Sequence, residues 1–240
     1  LMSKTVGIMG GLGPLSTVYF MEMLVNMTDA QKDQDHLDLI VTSTASTPDR
    51  TAFITGKSKD SPLEILIEDG KKLQNAGADF IALTCNTAHR FYDELASELK
   101  VPLLHMPRLA LEAATKKVPG LKKVGLLATD GTLFAGVYEK ACEEMGLDFE
   151  RPDEEEQKNV MKLIYEQVKA GKEVDTDAFL RLIEGLKERG CGAVILGCTE
   201  LSIIERDYGP FGNETVDALE ALAKETIRLG GKNLKFEKRQ

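Results

Sequence analysis

Gly77-Ala78-Asp79-Phe80-Ile81-Ala82-Leu83-Thr84-Cys85 sets a turn glycine, a short apolar run and a cysteine in succession. Gly190-Cys191-Gly192-Ala193-Val194-Ile195-Leu196-Gly197-Cys198 repeats that order at the same spacing, and Leu73 and Leu186 stand at matching places ahead of the two glycines. A second echo lies upstream of each: Val6-Gly7-Ile8 followed by Gly13, and Val124-Gly125-Leu126 followed by Gly131. Both echoes are displaced by close to half of the 240-residue chain and keep their order, as a duplicated unit would. The expected architecture is two α/β lobes related by a pseudo-twofold axis.

Outside these echoes, short runs rich in Val, Ile and Leu alternate with longer amphipathic stretches. This is the pattern of βαβ units around a parallel sheet covered on both faces. Strands are predicted at Thr5–Met9, Leu37–Ser43, Phe80–Leu83, Leu103–His105, Lys123–Ala128 and Ala193–Leu196. Ser61-Pro62-Leu63-Glu64 reads as a helix start, with an N-cap Ser, Pro at the first helical position and Glu placed for a capping box; Leu63, Ile67 and Leu73 mark its buried side. The lobe boundary is expected near Met106-Pro107, with a return crossing near Gly209-Pro210. Residues 1–106 with 210–240 then form an N-terminal lobe carrying Cys85, and 107–209 a second lobe carrying Cys198. A last helix, Val216–Leu229, packs back on the first lobe, and the polar tail Lys232–Gln240 is read as a solvated end.

Thirty Lys plus Arg against 39 Asp plus Glu leave a formal charge of -9, which argues against nucleic acid or an anionic membrane as partner. An anionic ligand must be met by local positive groups. No apolar run approaches the roughly 18 residues of a spanning helix, and the N-terminus lacks the regions of a signal peptide, so a cytoplasmic location is expected. Cys85, Cys142, Cys191 and Cys198 form no C-x-x-C pair and have no zinc-type spacing to His, so no metal site is expected. In a reducing compartment each is either a small buried apolar residue or a reactive thiol.

In open α/β sheets ligands bind outside the carboxyl ends of the strands, which is where the echoes place Cys85 and Cys198, each at a strand-to-helix turn. Free N–H groups and the dipole at a helix start favour a thiolate. Related by the pseudo-twofold, the two turns face each other across an interlobe cleft. Facing thiols suit removal of a proton from one side of a carbon and delivery of another to the opposite side. Cys142, at helical spacing from Tyr138 and Met145, and Cys191, at the far end of its strand, read as packing. Gly10-Gly11-Leu12-Gly13-Pro14 follows the first strand and opens a helix, so backbone N–H groups around Gly11 are candidates to receive a carboxylate. A dinucleotide reading is poorly supported, because the glycine spacing departs from the fingerprint and the second strand ends without an acidic residue. Arg50, just past the second strand, is a bidentate carboxylate ligand or a surface ion-pair partner.

At Thr84-Cys85-Asn86-Thr87-Ala88-His89, Gly197-Cys198-Thr199-Glu200-Leu201 and Pro48-Asp49-Arg50 the sequence resembles the aspartate/glutamate racemase family, its aspartate branch in particular. The opening Gly-Ile-Met-Gly-Gly-Leu-Gly-Pro and Ala128-Thr129-Asp130-Gly131-Thr132 share the likeness. The resemblance implies two Rossmann-like three-layer lobes with the active site between them, no cofactor, a two-base mechanism and a homodimer. It implies Cys85 and Cys198 as the catalytic thiols and Asn86, Thr87 and Thr199 around the substrate's α-carboxylate and ammonium. Arg50 and Lys169 are implied on its side-chain carboxylate. Glu200 stands where glutamate racemases carry His. It accepts a hydrogen bond from the substrate ammonium, tunes Cys198 or caps its helix. His89 is read as a packing histidine rather than a partner for Cys85.

The expected activity is cofactor-independent racemisation of an acidic amino acid, L-aspartate to D-aspartate. Alternatives are another reaction on the same scaffold (glutamate or hydantoin racemisation, maleate isomerisation, malonate decarboxylation), a cytosolic sensor of an acidic metabolite and, least supported, an NAD-dependent oxidoreductase.

Overall fold

The computed structural model describes residues 4–235. Its first half runs β1 (Thr5–Gly10), α1 (Pro14–Met27), β2 (Asp38–Ser43), α2 (Arg50–Ile54), α3 (Leu63–Asn75), β3 (Phe80–Leu83), a 3-10 turn at Thr87–Phe91, α4 (Tyr92–Glu98) and α5 (Met106–Lys117). The second runs β4 (Lys123–Leu127), α6 (Asp130–Ala135), α7 (Val137–Glu144), β5 (Asp148–Glu150), α8 (Glu154–Met161), a π-helical segment at Lys162–Val168, α9 (Thr176–Glu188), β6 (Ala193–Leu196), α10 (Thr199–Tyr208), β7 (Thr215–Asp217) and α11 (Ala218–Leu229).

Two parallel sheets result, ordered β2-β1-β3 and β5-β4-β6-β7. The predicted strand at Leu103–His105 reduces to a single parallel bridge between Leu103 and Ile81, which gives the first sheet a rudimentary counterpart of β7. Thr215–Asp217 falls in the segment predicted for the first lobe, with Val216 and Asp217 at the start of the predicted last helix. It instead pairs with β6, Val194 opposite Thr215, and α11 starts at Ala218 with the Asp217 carboxylate accepting from Leu219 N at 2.8 Å. Two adjacent β-branched residues, Thr215 and Val216, favour strand over the first turn of a helix.

The glycine echo has a packing cause. A Cβ on Gly7 would lie 3.2 Å from Leu73 Cβ and 3.0 Å from Ala78 Cβ; one on Gly125 would lie 3.0 Å from Leu186 Cβ and 3.2 Å from Cys191 Sγ. Helices α3 and α9 thus lie so close on β1 and β4 that only glycine leaves room, and each echoed leucine fills the space. The other strand face carries Val6 and Ile8 in one lobe and Val124 and Leu126 in the other, and these share one buried cluster with residues of α1, α5, α7 and α11. Helix α5 packs beside β6 and β7, while α11 packs on α1 and α5. The lobes are therefore joined through a common apolar centre.

Two local expectations shift. Helix α3 begins at Leu63, Ser61 Oγ accepts from Leu63 N at 3.2 Å without forming the capping box, and the fully buried side is Leu66, Asp69, Gly70 and Leu73. The start of the tail is tied to the fold through Leu234 and the backbone, while Asn233 and Lys235 stay exposed. Leu234 is buried and bridges Thr28 antiparallel, and Lys235 N donates to Met27 O at 2.8 Å. The rest of the tail, Phe236–Gln240, lies outside the described residues. Among the described residues no helix is long and apolar enough to cross a membrane.

Candidate active site

Cys85 follows β3 and Cys198 follows β6, the strands that pair with β1 and β4 in their respective sheets. Both thiols are buried, and both line one small cavity with Arg50, Asn86, Thr87, Lys169, Thr199 and Glu200. All the sequence-predicted residues therefore converge except Gly11. Gly11 has φ +87° and packs against Thr44, and its N–H donates to Thr17 Oγ1 at 2.9 Å. That amide is committed within the loop, and Leu12 is the loop residue that reaches the cavity.

On the Cys85 side the cavity is lined by Asp49, Arg50, Thr51, Asn86 and Thr87. Asp49 caps α2, accepting from Ala52 N, which sets Arg50 as its first residue. Arg50 Nη1 donates to Thr47 O at 3.2 Å and Pro48 O at 3.0 Å, and Arg50 lines the cavity together with Cys85. Burial lowers the Arg50 pKa, but Cys85 and Asp49 outweigh it, so the net shift is upward and the charge is secure. Arg50 Nε is buried with no partner. Asn86 Oδ1 accepts from Tyr138 OH at 2.5 Å across the lobes, and its Nδ2 is also buried without a partner. Two orphaned donors in one cavity lining call for an acceptor ligand, because an unmade buried hydrogen bond is costly. The Thr87 hydroxyl lies 2.9 Å from both Thr129 and Thr132 Oγ1, a second polar contact between lobes.

His89 is structural, as read from the sequence. Its Nδ1 lies 2.8 Å from Cys85 O, and its Nε2 accepts from Met106 N at 3.1 Å, which fits a neutral ring protonated on Nδ1. Burial, with His105 nearby, drives its pKa down to about 3. The ring ties the Cys85 backbone to the start of α5.

Cys198 is the N-cap residue of α10, yet the helix start does not decide its ionisation. Burial pushes the thiol well above its usual value, and Glu200 pushes it further, while Lys169 and the Glu200 backbone N–H act weakly the other way. The thiolate-favouring helix start expected at Cys198 is therefore outweighed by burial and by Glu200. Its Sγ donates to Glu200 Oε2 at 2.9 Å, and Glu200 Oε1 accepts from Lys169 Nζ at 2.7 Å. Lys169 follows the π-helical segment, an irregularity that often marks a functional site, and Tyr165 of the same segment also lines the cavity. Burial raises the Tyr165 hydroxyl to about 12.

Thr51, Thr129, Tyr165 and the amide-holding Tyr138 were missed. Thr129 falls inside a stretch that carries the resemblance, whereas Tyr138 reads only as one side of a packing helix. Cys142 and Cys191 lie outside the cavity in apolar clusters, and burial raises both thiols, Cys142 to about 12.

Two joined α/β lobes, each offering a buried thiol to one polar cavity, define a class of protein built to act on two sides of a single small ligand. A family model described as Asp/Glu/hydantoin racemase matches residues 9–226, and the chain belongs to that family. It is an amino-acid racemase, and so an isomerase. The structure of the Picrophilus torridus aspartate racemase is similar, with a TM-score of 0.80, 35% identity and coverage of 97% of this chain and 96% of that one. An aspartate racemase homologue from Pyrococcus horikoshii gives a TM-score of 0.77 at 31% identity, covering 95% and 99%. The broad specificity amino-acid racemase RacX of Bacillus subtilis is 28% identical over 229 residues, 92% of this chain and 96% of its own length.

Proposed function

We propose that the protein interconverts L- and D-aspartate without an added cofactor, with Cys85 and Cys198 as the two bases. The observation that carries this reading is the convergence of one thiol from each lobe on a cavity whose lining holds the orphaned donors Arg50 Nε and Asn86 Nδ2. Arg50 takes the side-chain carboxylate, with Lys169 at the cavity edge as the second cation. Asn86, Thr87 and Thr199 hold the α-carboxylate and ammonium. Fixing the Cα–H bond between the two sulfurs makes the transfer effectively unimolecular. One thiolate removes the α-proton and the opposite thiol protonates the other face. Donors on the α-carboxylate stabilise the charge that builds there. The roles reverse for the other enantiomer.

The proposed division of the chain is 1–106 with 210–240 against 107–209, with β7 exchanged into the second sheet. A homodimer belongs to the same reading. Leu15, Val18 and Val25 on α1 are exposed at helical spacing and support it. A second reading, racemisation of a wider set of amino acids, is favoured by the likeness to RacX. Both enantiomers of aspartate, glutamate and several neutral amino acids, assayed by chiral chromatography with nothing added, separate the two. Aspartate turning over fastest supports the proposal, and equal or faster turnover of neutral amino acids overturns it.

A further inference from the structure

The pseudo-twofold makes the two thiols equivalent in fold, but their partners are not equivalent in charge. Thr87 and Glu200 each stand two residues after their cysteine. Thr87 spends its hydroxyl on Thr129 and Thr132 of the other lobe, so the residue at this place brings no carboxylate to Cys85. Glu200, 5% exposed, accepts the Cys198 S–H directly and the Thr199 hydroxyl at 3.4 Å. It is held in that place by Lys169.

Resting on the two-thiol reading above, we infer that Glu200 is a positioning residue that holds the proton on Cys198: this sulfur rests as the thiol, donating to Glu200, which is itself paired with Lys169. The groups facing Cys198 agree with this. Glu200 comes from its own helix, Lys169 and Tyr165 from the π-helical segment, Tyr138 from α7 and Cys85 from the other lobe. Lys169, the cation among these groups, is already paired with the carboxylate. In one turnover Cys85 takes the Cα proton as its sulfur becomes S–H, while the Cys198 S–H proton goes to the opposite face and leaves S⁻. The charge of the site is unchanged, but the new thiolate lies against Glu200. The two free forms of the enzyme are therefore unequal, and the proton returns to Cys198 between cycles.

The test is ¹³Cβ-cysteine labelling of the full chain, in which chemical shift reports protonation without reagent access. Signals are assigned with Cys85→Ser and Cys198→Ser, and Glu200→Gln and Glu200→Asp are compared. Cys198 is expected to remain a thiol well above the reference cysteine value of about 8.5. Glu200→Gln, which removes the charge, should lower its midpoint by about one pH unit or more, a tenfold change in proton affinity. Glu200→Asp should restore the wild-type titration, and the pH profile of racemisation should follow the same order. If Cys198 ionises at or below the reference value in the wild type, or its midpoint is unmoved in Glu200→Gln, the inference is wrong. A wild type with the expected titration but no exchange at Cα would overturn the racemase reading and leave the thiol assignment standing.

Discussion

Tyr138→Phe removes one oxygen and leaves the ring, which makes it a clean probe of how the cavity amide is aimed. The Tyr138 hydroxyl donates to Asn86 Oδ1, and both residues are buried. Its loss takes away a hydrogen bond and strands a buried carbonyl, for a total cost of about 1–3 kcal/mol. For a chain of this length each kcal/mol lowers Tm by about 2–4 °C, so a fall of roughly 2–12 °C is expected. The functional effect is separate. With Oδ1 released, the amide rotates and Nδ2 no longer faces the cavity. KM for the amino acid should then rise about 5- to 30-fold, corresponding to about 1–2 kcal/mol, while kcat changes less because Asn86 transfers no proton. Calorimetry and chiral-product kinetics on one preparation give both numbers. A variant with lowered Tm and unchanged KM would refute the aiming role, and one with neither effect would refute the hydrogen bond itself.

Two further outcomes follow from packing and burial. Gly125→Ala forces a methyl against Leu186 and Cys191, and overpacking of about 1–3 kcal/mol should exceed the intrinsic gain of about 0.5–1 kcal/mol from replacing glycine. Denaturant midpoints should show a net loss, and adding Leu186→Ala should cost less in that background than alone. His89 stays neutral in the fold down to about pH 3, whereas the unfolded chain takes up its proton below about 6.5, so stability is lost as pH falls between these values. The loss is up to about 1.4 kcal/mol per pH unit, and His89→Gln should flatten the stability–pH slope over that window by this amount.

What the sequence made legible was what packing and chemistry impose at fixed spacing. Gly7 and Gly125, with Leu73 and Leu186, recur because a helix lies hard against a strand in both lobes, and Cys85 and Cys198 recur because they end the equivalent strands. The short strands were hidden for a reason equally plain. Asp148–Glu150 has a single apolar residue, and Thr215–Asp217 is too brief to show a period, so only pairing to β4 and β6 reveals them. Gly11 sits in the expected loop, but no pattern discloses that Thr17 takes its amide. Nor does a helical stripe disclose that Tyr138 reaches Asn86 from the opposite lobe. The charge contrast between Thr87 and Glu200 was visible as letters, while its meaning needed the distance to each sulfur.

The central claim, that one thiol on each face of the α-carbon exchanges its proton, is tested most directly by solvent deuterium at Cα of L- and D-aspartate. The comparison is between wild type, Cys85→Ala and Cys198→Ala. Wild type should incorporate deuterium and racemise both enantiomers, and each single variant should lose racemisation. Racemisation at the wild-type rate in either variant would contradict the two-thiol account.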